Sequence, residues 1–306
     1  MLRLRWLLLF MVSVGVMSSA CQTVRSTETL SPTAMSPHQP LSATETLPVR
    51  TTIPIPMPTA MPLADTPTRP SIARPITLTI VYDNRSADAR LKTAWGFACL
   101  IETGVATVLF DTGGNGRLLM GNLAALGIDP RTIDAVVLSH AHSDHTDGLD
   151  QLLAANDRLT VYLPESFLTS FKTRIHNPVI DITETRLIAA GVRTTGELGT
   201  AIVEQSLIIG TRAGLIVLTG CAHPGIVEIV RQAKAYGNVY LVMGGFHLAD
   251  YSAAEVQAVI AELKRLGVRQ VAPSHCTGER AIEQFQNEFG TGFIPAGAGA
   301  AVHDVW

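Results

Sequence analysis

The stretch AVVLSHAHSDHTDGL, residues 135–149, decides how this chain is read. Its first four residues form a short apolar run of the kind that makes a buried strand. Directly after it, His140, His142 and His145 fall within six residues, with Asp144 among them. Packed as ordinary core, three imidazoles and a carboxylate would waste desolvation energy. Arranged round a cation they are ligands, and imidazole with carboxylate suits zinc, iron or manganese. The chain has nine histidines, and three more of them close strand-like runs: His223 in LTGCAHPG, His247 in VMGGFHL and His275 in APSHCTG.

Outward from this stretch, short β-branched runs alternate with helical spacings. Strands are expected over 76–82, 97–101, 106–110, 159–163, 215–218, 239–243 and 268–272. Helices are expected over 117–126, 148–155, from about Pro164, and over 225–235, 253–266 and 278–289. Ser252 followed by Glu255 makes a capping box, and Val256, Val259, Ile260 and Leu263 form one apolar face of that helix. No repeat of fixed period is present, so the class is mixed α/β in layers.

The N-terminal quarter has a different composition. Arg3 and Arg5 precede twelve mostly apolar residues, too few to cross a bilayer as a helix but the right length for a secretory signal. The Cys after Ser-Ala resembles a bacterial lipobox. That resemblance implies cleavage after residue 20, lipidation of Cys21 and attachment of an exported protein to a membrane surface. Residues 22–75 hold eleven of the chain's 17 prolines and no aromatic residue, which predicts an extended, disordered tether. The folded unit is therefore expected over 76–306. It carries 17 basic against 23 acidic residues, a net charge of −6. Such a unit is a poor counterion for a phosphate backbone, so a small molecule rather than nucleic acid is the expected partner. Beyond Cys21 only Cys99, Cys221 and Cys276 remain, too few for a disulfide scaffold. His38, His176 and His303 read as ordinary polar residues.

The string HAHSDH, with VLFDTGG ahead of it and TDGL behind, resembles the His-x-His-x-Asp-His signature of the metallo-β-lactamase superfamily. The strings around His223, His247 and His275 are similar to those of the ribofuranosylaminobenzene phosphate synthase-like branch. The resemblance implies a four-layer αββα sandwich with one or two metal ions at the sheet edges. Carried over by residue, it implies His140, His142 and His223 at one metal, and Asp144, His145 and His275 at the other. Cys221 stands at the strand end where many relatives carry a bridging Asp. Asp144 and His247 are the candidate catalytic groups, with His247 a possible proton donor, metal ligand or substrate contact. Asp111 in FDTGG is suited to orienting a ligand histidine, or else to starting a turn. A bound metal, zinc first, lowers the pKa of its water toward about 7, so hydroxide is available to attack an ester, a phosphoester or a related small substrate. Two other classes share these residues: a non-catalytic metal-binding or sensing lipoprotein, and an iron-dependent redox protein.

Overall fold

The computed structural model describes residues 76–303, and the expected signal and tether, with Cys21 and His38, lie outside the described residues. Its strands are β1 (Thr77–Tyr82), β2 (Ala98–Glu102), β3 (Thr107–Phe110), β4 (Ala135–Val137), β5 (Thr160–Pro164), β6 (Val179–Ile182), β7 (Arg186–Ala189), β8 (Val192–Thr194), β9 (Leu207–Gly210), β10 (Leu215–Thr219), β11 (Val239–Gly245), β12 (Gln270–Ser274) and β13 (Ala301–His303). The α-helices are α1 (Gly116–Ala125), α2 (Ser143–Thr146), α3 (Leu149–Ala155), α4 (Thr169–Lys172), α5 (Ile226–Ala233), α6 (Ala253–Arg265) and α7 (Glu279–Phe289). One sheet has the order β13-β1-β2-β3-β4-β5-β6 and the other the order β12-β11-β10-β9-β8-β7.

Strand alternation dictates how these sheets are covered. In β3, Val108 and Phe110 face one way and Leu109 the other; in β10, Ile216 and Leu218 face away from Leu215 and Val217. Val108, Phe110, Ile216 and Leu218 meet in a core between the sheets, with Leu78, Ile80, Leu241 and Met243. Leu109 and Val136 pack outward with Leu119, Leu123, Leu149 and Leu152 of α1 and α3. Leu215 and Val217 pack outward with Ile229, Val230, Ile260 and Phe285 of α5, α6 and α7. The result is the expected αββα sandwich, because both sheets present apolar residues on both faces.

The sequence-based boundaries hold to within a residue or two for most elements, and the Ser252–Glu255 capping box forms as expected. Three departures have physical causes. Pro164 ends β5 rather than opening a helix, and the next helix is the single turn α4, whose side chains are all at least partly exposed. Strands β6 to β9 lie in a stretch where periodicity gave no expectation; β7 holds no buried residue, so it carries little apolar signal. The helix after β10 splits, with α5 passing into a 3-10 turn at Lys234–Tyr236.

Within the first sheet β3, β4, β5 and β6 run parallel, and within the second β10, β11 and β12 do. Loops leaving the carboxyl ends of parallel strands are the usual place for a site. One brace holds the loop between β1 and β2 against this edge. Buried Asn122 of α1 donates to the carbonyls of Val81 and Lys92 and accepts from the Lys92 amide, at 2.8–2.9 Å. Asn122→Ala removes all three hydrogen bonds and takes this partner from the buried Val81 carbonyl, and a buried orphan costs about 1–3 kcal/mol. Urea unfolding of Asn122→Ala is expected to show a loss of more than about 2 kcal/mol; a loss near zero would mean the brace is not structural.

Candidate metal centre

Every sequence-predicted site residue within the described part follows the carboxyl end of a strand. Asp111 follows β3, the His140–His145 loop follows β4, Cys221 and His223 follow β10, His247 follows β11 and His275 follows β12. Among the described residues four non-glycines have positive φ, and all are in these loops: Asp111 (59°), Ala222 (63°), His247 (53°) and His275 (50°). Left-handed backbone is costly for residues with a Cβ, and its concentration here marks where packing holds the chain for function. The loops also crowd closely. A Cβ on Gly220 would collide with Ser139 Oγ, so only glycine lets the loop after β10 pass this near the loop after β4.

Hydrogen bonds fix which ring nitrogens face inward. Asp111 is fully buried; its Oδ1 accepts from the Ser139 amide at 2.6 Å, and its Oδ2 accepts from the Ser139 hydroxyl and from His145 Nδ1, both at 2.7 Å. Because the carboxylate only accepts, the Ser139 hydroxyl must donate to it. Its oxygen then accepts from His140 Nδ1 at 2.9 Å. Asn84 Oδ1 accepts from His275 Nδ1 at 3.1 Å, and Asn84 Nδ2 donates to the His275 carbonyl at 3.3 Å. Three imidazoles are thereby held as Nδ1–H tautomers, and in the neutral ring their Nε2 lone pairs point into the site.

Those lone pairs converge. His145 Nε2 and His275 Nε2 are 3.2 Å apart, Asp144 Oδ2 is 3.2 Å from the latter, and His140 Nε2 is 3.0 Å from His142 Nδ1. The buried Nε2 of His223 has no hydrogen-bond partner. Lone pairs facing one another repel unless a cation lies between them, so this donor set fits a metal. Among the described residues, His140, His142 and His223 bring one donor atom each within 4.8 Å of one another, and Asp144, His145 and His275 form a second such set. His140, His145 and His275 are buried, whereas His142 and His247 are exposed, so the centre has a closed floor and an open mouth. The His247 ring lies 4.3 Å from that of His223, beside the first set, and exposed Trp95 lies 4.8 Å from His275, beside the second. Neither His176 nor His303 is in this cluster.

Burial, and then the neighbouring His145 and His223, push the His140 imidazole well below its ordinary pKa, which keeps it in the neutral, ligating form. Burial and the nearby His247 and His142 lower His223 to about 4. Burial opposes ionisation of Asp144, but the adjacent His275 and His145 outweigh it and bring Asp144 to about 2.

Glu204 and Gln205 are absent from the sequence reading and hold the two halves of the site together. Fully buried Glu204 accepts from the amides of Cys221, Ala222 and His223 at 2.8–3.0 Å, a nest of consecutive N–H groups round an internal carboxylate. Gln205 donates from its backbone to the Ser139 carbonyl and from Nε2 to the Leu138 carbonyl. No local sequence signal marks Glu204, whose partners lie far along the chain at residues 221–223. Cys99, Cys221 and Cys276 are free thiols.

The sequence pattern described as the metallo-beta-lactamase superfamily matches residues 96–200, which include the HAHSDH loop. Over that stretch, and in its fold, the chain is similar to the metallo-β-lactamase superfamily. It is 29% identical over 245 residues to 7,8-dihydropterin-6-methyl-4-(beta-D-ribofuranosyl)-aminobenzene-5'-phosphate synthase of Methanocaldococcus jannaschii, covering 64% of this chain and 83% of that one. It is 27% identical to Tm1679, a metal-dependent hydrolase of the β-lactamase superfamily, with a TM-score of 0.64 over 74% of this chain and 98% of the other. Human tRNase Z, short form, at 13% identity and a TM-score of 0.52, shares the fold. The superfamily fold carries divalent metal ions, and its neighbours here are mostly metal-dependent hydrolases.

Asp111→Asn replaces an oxygen that accepts twice with one that accepts and a nitrogen that donates, so Ser139 and His145 lose a shared acceptor. Competition with a chelator is expected to show metal affinity reduced about 10- to 100-fold, the usual cost of removing a ligand's hydrogen-bond partner. Unchanged affinity would separate Asp111 from the metal loop.

Proposed function

We propose that the protein is an exported, metal-dependent hydrolase acting on a small anionic ester, a phosphoester or phosphodiester above all. The observation that carries this reading is the pair of convergent donor sets with an open mouth. His140, His142 and His223 would hold one ion; Asp144, His145 and His275 would hold the other. Zinc fits the imidazole and carboxylate donors, and when bound it supplies Lewis acidity and makes water nucleophilic near neutral pH. The first set is electrically neutral and the second carries one carboxylate, so two divalent ions would turn positive charge toward the open mouth, with Asp111 and Glu204 buried behind the donors. A positive centre at the bottom of an open cleft favours an anionic group on the substrate.

The chain's own residues divide the remaining work. Asp144, ionised and partly exposed, would orient the attacking water by accepting a hydrogen bond from it. His247 stands at the mouth beside His223, where its exposed ring reaches a leaving-group oxygen and delivers a proton to it. Asp111, Ser139 and Asn84 keep the ligating nitrogens in their tautomers. The acidic surround of the folded unit argues against a nucleic-acid backbone as substrate.

A panel of chromogenic carboxylic esters, phosphomonoesters and phosphodiesters tests this reading. Turnover is expected for at least one phosphate substrate, abolished by chelation and lowered at least about 100-fold in His142→Ala. Equal rates for wild type and His142→Ala, at background, would instead support a metal-binding protein without turnover. His247→Ala is expected to slow substrates with poor leaving groups more than those with good ones.

The proposal extends to location. The basic and apolar segment before Cys21 and the proline-rich 22–75 segment support a lipid anchor and a tether, which would present the centre to substrates outside the cytoplasm. Mass spectrometry of the mature protein's N-terminus is expected to find a diacylglyceryl Cys21; an unmodified Met1 would overturn both export and anchoring.

A further inference from the structure

Between the two donor sets lies a sulfur that neither set requires. Cys221 Sγ is 3.2 Å from His145 Nε2, and it falls within 4.8 Å of the donor atoms of His140 and His223 in the first set and of His145 and His275 in the second. It therefore reaches two members of each. A ligand shared by two ions must do so and must be able to carry negative charge.

The other acidic groups nearby are already engaged. Both Asp111 oxygens accept from Ser139 or His145. Both Glu204 oxygens accept backbone amides of the loop that carries Cys221. Asp144 belongs to the second set alone. The other thiol, Cys276, donates to the Cys221 carbonyl at 3.6 Å and sits behind it. A thiol S–H at Cys221 has two partners, the Cys276 sulfur and the lone pair of His145 Nε2, which the Asp111 hydrogen bond has turned toward the ions.

We propose that Cys221 is the shared ligand of the two metal positions, a thiolate in place of a bridging carboxylate. The inference rests on the metal-dependent reading above. On binding, the S–H bond breaks, its proton goes to solvent, and the sulfur lone pairs form one bond to each ion. The nest that Glu204 makes with residues 221–223 then has a purpose beyond the fold: it sets Sγ and His223 on opposite sides of left-handed Ala222. A soft sulfur at the shared position also selects the metal. Zinc and iron(II), with cobalt(II) as their spectroscopic substitute, suit a thiolate, whereas manganese and magnesium prefer an all-oxygen shell.

Cobalt(II) loading of the apoprotein tests this, read by metal analysis and by the sulfur-to-cobalt charge-transfer band in the near ultraviolet. Two equivalents and a strong band are expected for wild type and for Cys276→Ser. The band is expected to vanish in Cys221→Ser, and also in Cys221→Asp, which keeps two equivalents through a carboxylate. Should Cys221→Ser fail to fold, Cys221→Asp still decides the matter. A band that survives in Cys221→Asp and disappears in Cys276→Ser would overturn the assignment. Two bound ions with no band in wild type would overturn the thiolate bridge while leaving the hydrolase reading intact, and a protein that binds no metal would overturn both.

Discussion

The Asp111 carboxylate governs the geometry of the whole centre. Through one oxygen it holds the backbone of Ser139; through the other it accepts a hydrogen bond directly from His145 Nδ1 and, by way of the Ser139 hydroxyl, fixes the proton of His140. One residue thus decides the tautomer of a donor in each set. Such control needs a buried, ionised acceptor at the end of a rigid strand, and β3 provides it with Asp111 locked in left-handed backbone. Its cost is a buried charge, which is tolerable only because every oxygen is hydrogen-bonded.

A second carboxylate repeats the arrangement on the other sheet. Glu204 gathers the three amides of residues 221–223, as Asp111 gathers Ser139 and His145. Its neighbour Gln205 then ties that sheet to the loop after β4. The centre is a joint between two sheets, and these internal acids and amides, more than the imidazoles, set the spacing of the donors. Once the donors are fixed, cations between them would relieve their mutual repulsion.

The alternation of apolar residues in β1 to β5 and β10 to β12 was legible because those strands are buried on both faces and read as continuous apolar runs. The ligand histidines were legible because imidazole at a strand end has few other uses. Strands β6 to β9 were not, since they are short, and β7 lies at a sheet edge with its side chains exposed or half-exposed. Glu204 was not legible for a different reason: it acts on a segment far away in sequence, residues 221–223. A single chain contains no local pattern that announces such a partner.

The central claim is that the imidazoles of His145 and His275 turn their Nε2 lone pairs toward a cation rather than toward each other. Anomalous diffraction from crystals grown with zinc tests it most directly. The account predicts an anomalous peak about 2.0–2.1 Å from both nitrogens, with Asp144 completing that set and a second peak among His140, His142 and His223. Clear density for two imidazoles hydrogen-bonded to one another, with no peak between them at saturating zinc, would contradict it.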